Sequence, residues 1–85
     1  QGLQQFNAKQ YEQAAETFNK VVTQSPNFYQ AYFNLGLCYY NLNRYNEAIS
    51  VFQKTIAIQP DYARANLWLG NVLLIQSRYD EALIW

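Results

Sequence analysis

Apolar positions in the middle of the chain recur at intervals of three and four residues. Between residues 31 and 42 the series is Tyr32, Leu35, Gly36, Tyr39 and Leu42. Side chains with this spacing share one face of an α-helix, whereas a strand would alternate by two. A second series follows at Ala48, Ile49, Phe52 and Ile56. The pattern therefore predicts two consecutive helices, each with one apolar side.

Two prolines and one polar pair divide the helical pattern. Pro26 and Pro60 each remove a backbone donor and push the preceding residue out of helical geometry, so each predicts a helix end. Asn27 and Asp61 follow the prolines and are predicted to cap the next helices. Residues 43–44 predict a turn between the two apolar series. The predicted helices cover residues 1–8, 11–24, 28–42, 45–59, 61–76 and 79–85.

The chain repeats itself at one fixed spacing, which is the distance in sequence from Tyr11 to Tyr45 and is called one repeat below. The triplets at this spacing are Tyr11, Tyr45 and Tyr79; Ala14, Ala48 and Ala82; and Gly2, Gly36 and Gly70. The pairs are Phe18 and Phe52, Lys20 and Lys54, Pro26 and Pro60, Ala31 and Ala65, and Leu35 and Leu69. So many identities on one period indicate a repeat architecture, in which each unit buries its apolar face against its neighbours.

One complete unit carries a known signature. It reads Tyr32-x2-Leu35-Gly36-x2-Tyr39, then Ala48-x3-Phe52, then Pro60. This resembles the tetratricopeptide repeat (TPR) family, a helix–turn–helix repeat with the same period, with Tyr in place of the usual first Trp. The resemblance implies an all-α fold of antiparallel helix pairs stacked as a right-handed solenoid, an α-α superhelix. It divides the chain into a partial unit at 1–28, a complete unit at 29–62 and a partial unit at 63–85.

The signature positions have a structural role in such a repeat. Gly36 costs about 1 kcal/mol against Ala in a helix interior, so its presence predicts a close helix crossing. Ala48 offers the second small surface at that crossing. The residues assigned to this structural signature are Gly36, Tyr39, Ala48, Phe52, Pro60, Gly70 and Ala82.

Composition argues for a folded chain that has no electrostatic attraction to polyanions. Apolar residues make up 51% of its 85 residues, too many for a disordered chain. Six basic and six acidic side chains leave no net charge, so neither nucleic acid nor an anionic membrane surface is an expected partner. No apolar run approaches the roughly 18 residues of a membrane helix. A single cysteine excludes an internal disulfide framework and favours a reducing, cytoplasmic setting.

The side chains offer little chemistry. There is no histidine, so the usual general base and commonest metal ligand are absent. Cys38 has no partner for a thiolate metal site and no histidine to activate it, so it is interpreted as buried packing. The glycines are isolated within helices and form no phosphate loop. The sequence therefore predicts no enzyme activity, no cofactor and no metal.

A concave groove is the predicted functional surface. The resemblance implies that the first helix of each pair lines such a groove, and the face that points into it mixes apolar residues with asparagines. Exposed apolar stripes of this kind mark partner sites. The predicted groove residues are Phe6, Asn7, Gln30, Phe33, Asn34, Leu37, Tyr40, Asn41, Arg64, Leu67, Trp68 and Asn71. The alternative is that Leu37, Leu67 and Leu74 belong to the core between repeats.

Three functions follow from this reading. The first is a scaffold that binds a peptide or protein segment in the groove. The second is a self-assembly module that associates through open solenoid ends or exchanges helices. The third is a targeting arm of a larger enzyme.

One TPR subclass is disfavoured. Co-chaperone TPR domains hold a C-terminal carboxylate with a clamp of Lys, Asn, Asn, Lys and Arg. Asn34 fits that pattern and Arg64 replaces one Lys, but Leu3 and Trp68 stand where Asn and Arg are needed. The resemblance therefore does not extend to chaperone-tail binding.

Overall fold

Four α-helices follow one another along the part of the chain that the structure describes. The computed structural model describes the backbone of residues 8–84 and the side chains of residues 9–78. The helices are α1 (Ala8–Gln24), α2 (Tyr29–Asn41), α3 (Tyr45–Ile58) and α4 (Ala63–Ile84). Each helix packs against its neighbours in sequence, with the most extensive contact between α2 and α3. The predicted all-α fold of packed helix pairs is confirmed.

The two prolines build the same turn twice. Phe28 N donates to Ser25 O at 3.0 Å across Pro26-Asn27, and Tyr62 N donates to Gln59 O at 3.1 Å across Pro60-Asp61. Proline presets the backbone for the second position of such a turn, and Asn or Asp suits the third. Helices α2 and α4 therefore begin at Tyr29 and Ala63. The prediction that Asn27 and Asp61 cap these helices was wrong, because both residues lie inside the turns.

A left-handed residue closes α2. Asn43 has a φ of 62°, in the region that asparagine tolerates better than most residues. Arg44 N then donates to Tyr39 O at 2.9 Å, and Asn43 N donates to Tyr40 O at 3.0 Å. These two bonds satisfy carbonyls left open at the helix end and turn the chain back towards α3.

The predicted turns in the outer units are not formed. Residues 8–10 are already helical, and α4 runs without a break from Ala63 to Ile84 through residues 77–78. Lys9 lies one repeat before Asn43, and Ser77 lies one repeat after it. Neither residue type favours the left-handed conformation as asparagine does, so the backbone stays helical there. The predicted helices at 61–76 and 79–85 were wrong as separate elements.

The core centres on the crossing of α2 and α3. Phe52 and Ala48 are fully buried on α3, and Leu35 is 1% exposed on α2. A Cβ placed on Gly36 would lie 2.5 Å from Cε1 of Phe52, so the ring occupies the space that only glycine leaves free. Thr55, the one buried polar side chain among the described residues, donates from Oγ1 to Val51 O at 2.9 Å. The predicted role of Gly36 at a helix crossing is confirmed.

Gly70 lies one repeat after Gly36 and provides a matched control. A Cβ on Gly70 would meet nothing within 4 Å. Gly36→Ala should lower the free energy of unfolding by about 1–3 kcal/mol, because the buried Phe52 ring must move. Gly70→Ala should raise it by up to about 1 kcal/mol through helix propensity. Urea denaturation followed by circular dichroism measures both, and equal effects at the two sites would contradict the crossing geometry.

Candidate functional site

The predicted groove residues fall into three structural groups. Phe6 and Asn7 lie outside the described residues, as does the side chain of the signature residue Ala82. Phe33 lies in the core. Of the remaining residues, Asn34, Leu37 and Asn41 line the space between α1 and α2, and Tyr40 pairs with Trp68 of α4. Gln30 lies in the first turn of α2, and the others are on α4. Gln30, Asn41, Arg64, Leu67 and Asn71 are exposed, whereas Asn34, Leu37, Tyr40 and Trp68 are half-buried.

Phe33 is a core residue rather than a groove residue. Its side chain is only 2% exposed. Its ring centroid lies 5.7 Å from that of Phe52 and 5.2 Å from that of Tyr62, in an edge-to-face arrangement with Tyr62. The guanidinium carbon of Arg64 lies 5.4 Å from the same ring. The second repeat thus contacts the third through this ring, which has no free surface left for a ligand.

A cavity of about 510 Å³ lies between α1 and α2. Its lining is mostly apolar, with two asparagines: Tyr11, Ala14, Phe18, Asn34, Leu37, Cys38 and Asn41. Nδ2 of Asn41 donates to Leu37 O at 2.8 Å, within its own helix. That bond uses one of the two amide hydrogens of Asn41, so its second hydrogen and its Oδ1 acceptor remain for another contact.

Two aromatic rings join α2 to α4. The centroids of Tyr40 and Trp68 are 5.0 Å apart in an edge-to-face pair, and Tyr40 also lies 5.9 Å from Tyr45. Both Tyr40 and Trp68 remain half-buried, so each keeps part of its surface accessible. The two rings form a partly exposed apolar surface beside the exposed side of α4.

The exposed side of α4 is a stripe with heptad spacing. Leu67 and Leu74 are 64% and 54% exposed, and Asn71 lies between them, one turn from each. The same spacing places an arginine at either end of the stripe. We call the five residues Arg64, Leu67, Asn71, Leu74 and Arg78 the α4 stripe. Arg78 was missing from the predicted groove, although its position two helical turns after Asn71 could have indicated it.

Metal ligands and nucleophiles are scarce among the described side chains. No group of three potential metal ligands occurs among the described His, Cys, Asp and Glu side chains. Cys38 is free and 6% exposed, as the packing interpretation predicted, and burial raises the pKa of its thiol. A buried thiol with a raised pKa is a poor nucleophile.

Comparison with models of known protein families identifies the family of this chain. A family model described as tetratricopeptide repeat matches residues 1–63 and again residues 43–85. The chain belongs to the tetratricopeptide-repeat family. No curated protein matches it. TPR units are generally protein-interaction modules and typically non-catalytic scaffolds, so a protein partner is the coarse expectation for this chain.

A helix that crosses a bilayer must be both long and apolar. Within the described part of the chain, every TPR helix is too short or too polar to cross a membrane.

Phe33 and Leu67 occupy equivalent repeat positions with opposite exposure. Phe33→Ala should lower the free energy of unfolding by about 3–5 kcal/mol, since it empties a buried ring site. Leu67→Ala should change it by no more than about 0.5 kcal/mol, because the side chain is largely solvated. Thermal and urea denaturation measure both variants. A Phe33→Ala variant as stable as Leu67→Ala would contradict the assignment of Phe33 to the core.

The packing of Cys38 predicts low thiol reactivity. Alkylation by iodoacetamide at mildly alkaline pH should be much slower in the folded TPR chain than in urea, because the thiol is shielded and its pKa is raised. Mass spectrometry over a time course gives the two rates. Equal rates would mean that the α1–α2 contact opens freely or that Cys38 is accessible.

Proposed function

We propose that the chain is a scaffold that binds an apolar segment of a partner protein along the α4 stripe. The observation that carries the proposal is the exposure of Leu67 and Leu74 beside the Tyr40–Trp68 ring pair. Solvated helix faces are normally polar, and exposed apolar surface of this extent usually contacts a partner. Aromatic rings at the edge supply the rigid contacts that dominate binding energy.

Polar groups in the stripe supply orientation. Asn71 offers both a donor and an acceptor between the two leucines, as a peptide backbone requires. Arg64 and Arg78 stand at the two ends, and residues 63–78 include no acidic side chain. Charge complementarity therefore favours a ligand with two apolar side chains flanked by Asp or Glu.

A peptide-display selection on the parent chain tests the ligand class. Enriched peptides should carry the acidic–apolar–acidic pattern, and their dissociation constants are measured by fluorescence anisotropy. Leu67→Glu and Leu74→Glu should each weaken binding by at least about tenfold, since a leucine contact of about 1.5–3 kcal/mol is lost. Arg78→Gln should weaken binding by about two- to fivefold at low salt and less at high salt.

Leu73→Glu is the matched control for this experiment. Leu73 is 46% exposed, close to Leu74, but lies about 100° further round the helix, outside the stripe. Its substitution should leave the dissociation constant within about twofold, because residues that share no contact have independent effects. A selection with no enrichment, or an effect of Leu73→Glu equal to that of Leu74→Glu, would overturn the proposal.

A further inference from the structure

Helix α4 has a face that is covered on α2 and uncovered on α4. On α2, Gly36 is buried under the Phe52 ring of α3. One repeat later Gly70 is exposed, and a Cβ on it would meet nothing within 4 Å. Helix α4 continues to Ile84 without a turn, so it does not fold back over this face. We call Leu69, Gly70 and Leu73 the hairpin face of α4.

Helix α1 has the opposite kind of face, which is also open. On α3, Ala48 and Phe52 are fully buried, with the Phe52 ring against α2. One repeat earlier, Ala14 and Phe18 are only half-buried and line the cavity between α1 and α2. The helix that would stand to α1 as α2 stands to α3 is not among the described helices. We call Ala14 and Phe18 the open face of α1.

We infer that these two faces bind each other between copies of the chain, head to tail. Helix α1 of one copy packs antiparallel on α4 of another, as α3 packs on α2. Phe18 of the docked copy then lies over Gly70, as Phe52 lies over Gly36. One face offers a recess of glycine size and the other presents a phenylalanine ring, so each face is complementary to the other and not to itself. The two helices together form one TPR unit built from two chains.

The docking of α1 also fixes where α2 of the same copy lies. The two proline turns are closed by equivalent hydrogen bonds of 3.0 and 3.1 Å, so α2 leaves α1 as α4 leaves α3. Within the chain, the Tyr62 ring packs on Phe33 with a centroid distance of 5.2 Å. The positions related to this pair by one repeat are Phe28 of the docked copy and Leu67. Phe28 therefore meets Leu67 across the contact between chains.

The contact covers apolar side chains that the single chain leaves in water. In the described part of the chain, the exposed large hydrophobic residues are Phe28, Leu67, Leu73 and Leu74. Leu73 lies on the hairpin face, and Phe28 and Leu67 meet each other. Leu74 lies one repeat after Tyr40, which packs on Trp68 of the following unit, so Leu74 faces α2 of the docked copy. Removal of such surface from water is the main driving force of association.

Solution mass tests the contact. Because it joins two different faces, every oligomer keeps one free face of each kind at its ends and can add a further copy. Sedimentation equilibrium over a concentration series should therefore show a mean mass that rises past twice the chain mass of 10.0 kDa. A constant mass of 10.0 kDa, or a plateau at twice that mass, would overturn the inference.

Two variants each block one face. Gly70→Leu fills the recess for Phe18, although it meets no neighbour within its own chain, and Phe28→Glu places a charge opposite Leu67. Each should weaken association by at least about tenfold. Ser50→Glu adds a charge to an exposed position of α3, outside both faces, and should associate like the parent. Circular dichroism checks that each variant keeps its helices.

A mixture of the two blocked variants distinguishes a head-to-tail contact from general stickiness. Gly70→Leu keeps the open face of α1, and Phe28→Glu keeps the hairpin face of α4. Each variant alone should stay near 10.0 kDa, whereas an equimolar mixture should reach twice that mass and stop, because no further matching faces remain. A mixture that stays monomeric, a Gly70→Leu variant that associates like the parent, or a Ser50→Glu variant as impaired as Phe28→Glu would contradict the contact.

The contact and the proposed peptide site share two side chains. Leu67 and Leu74 belong to the α4 stripe, so a second copy of the chain and a peptide compete for them. Phe28→Glu leaves the whole stripe intact and should be monomeric. Peptide binding to this variant therefore tests the proposed function separately from assembly.

Discussion

The contact between Phe52 and Gly36 is the constraint on which the other packing depends. The Phe52 ring lies where a side chain at position 36 would be. Helices α2 and α3 therefore approach more closely than they could with any residue other than glycine at that position. Phe33 then packs on the same ring, and Tyr62 packs on Phe33. The position of α4 is thus set by a chain of aromatic contacts that starts at one glycine.

Equivalent repeat positions differ in environment because burial depends on the neighbour, not on the residue. Gly36 and Gly70 are the same residue at the same repeat position, yet one faces a buried ring and the other faces open space. Phe33 and Leu67 differ in the same way, since Tyr62 and Arg64 pack on the first. In a repeat protein each unit contacts mainly its neighbours in sequence. Positions that are buried on α2 are therefore exposed on α4 where the described structure has no helix packed against them.

The sequence predicted what local periodicity and the repeat determine. Spacings of three and four indicated the helices, and Gly36 was correctly assigned to a helix crossing. Ala48 and Phe52 were correctly placed on the buried side of the next helix. The turn at residues 43–44 was predicted from the break in the apolar pattern, and the structure adds that Asn43 forms it in a left-handed conformation. The turns near Lys9 and Ser77 were wrongly predicted because the period was extended to positions where the residue does not tolerate that conformation as asparagine does. Phe33 was misplaced because helical spacing gives the direction of a side chain but not what lies opposite it.

Helix α4 places two different apolar surfaces on consecutive residues. Leu73 lies on the face of α4 that corresponds to the α3-covered face of α2. Leu74 belongs to the α4 stripe, beside Tyr40 and Trp68. The angle of about 100° between neighbouring helix residues keeps the two surfaces apart. A ligand confined to one surface need not displace a ligand on the other, whereas a second copy of the chain docked on the hairpin face also covers the stripe.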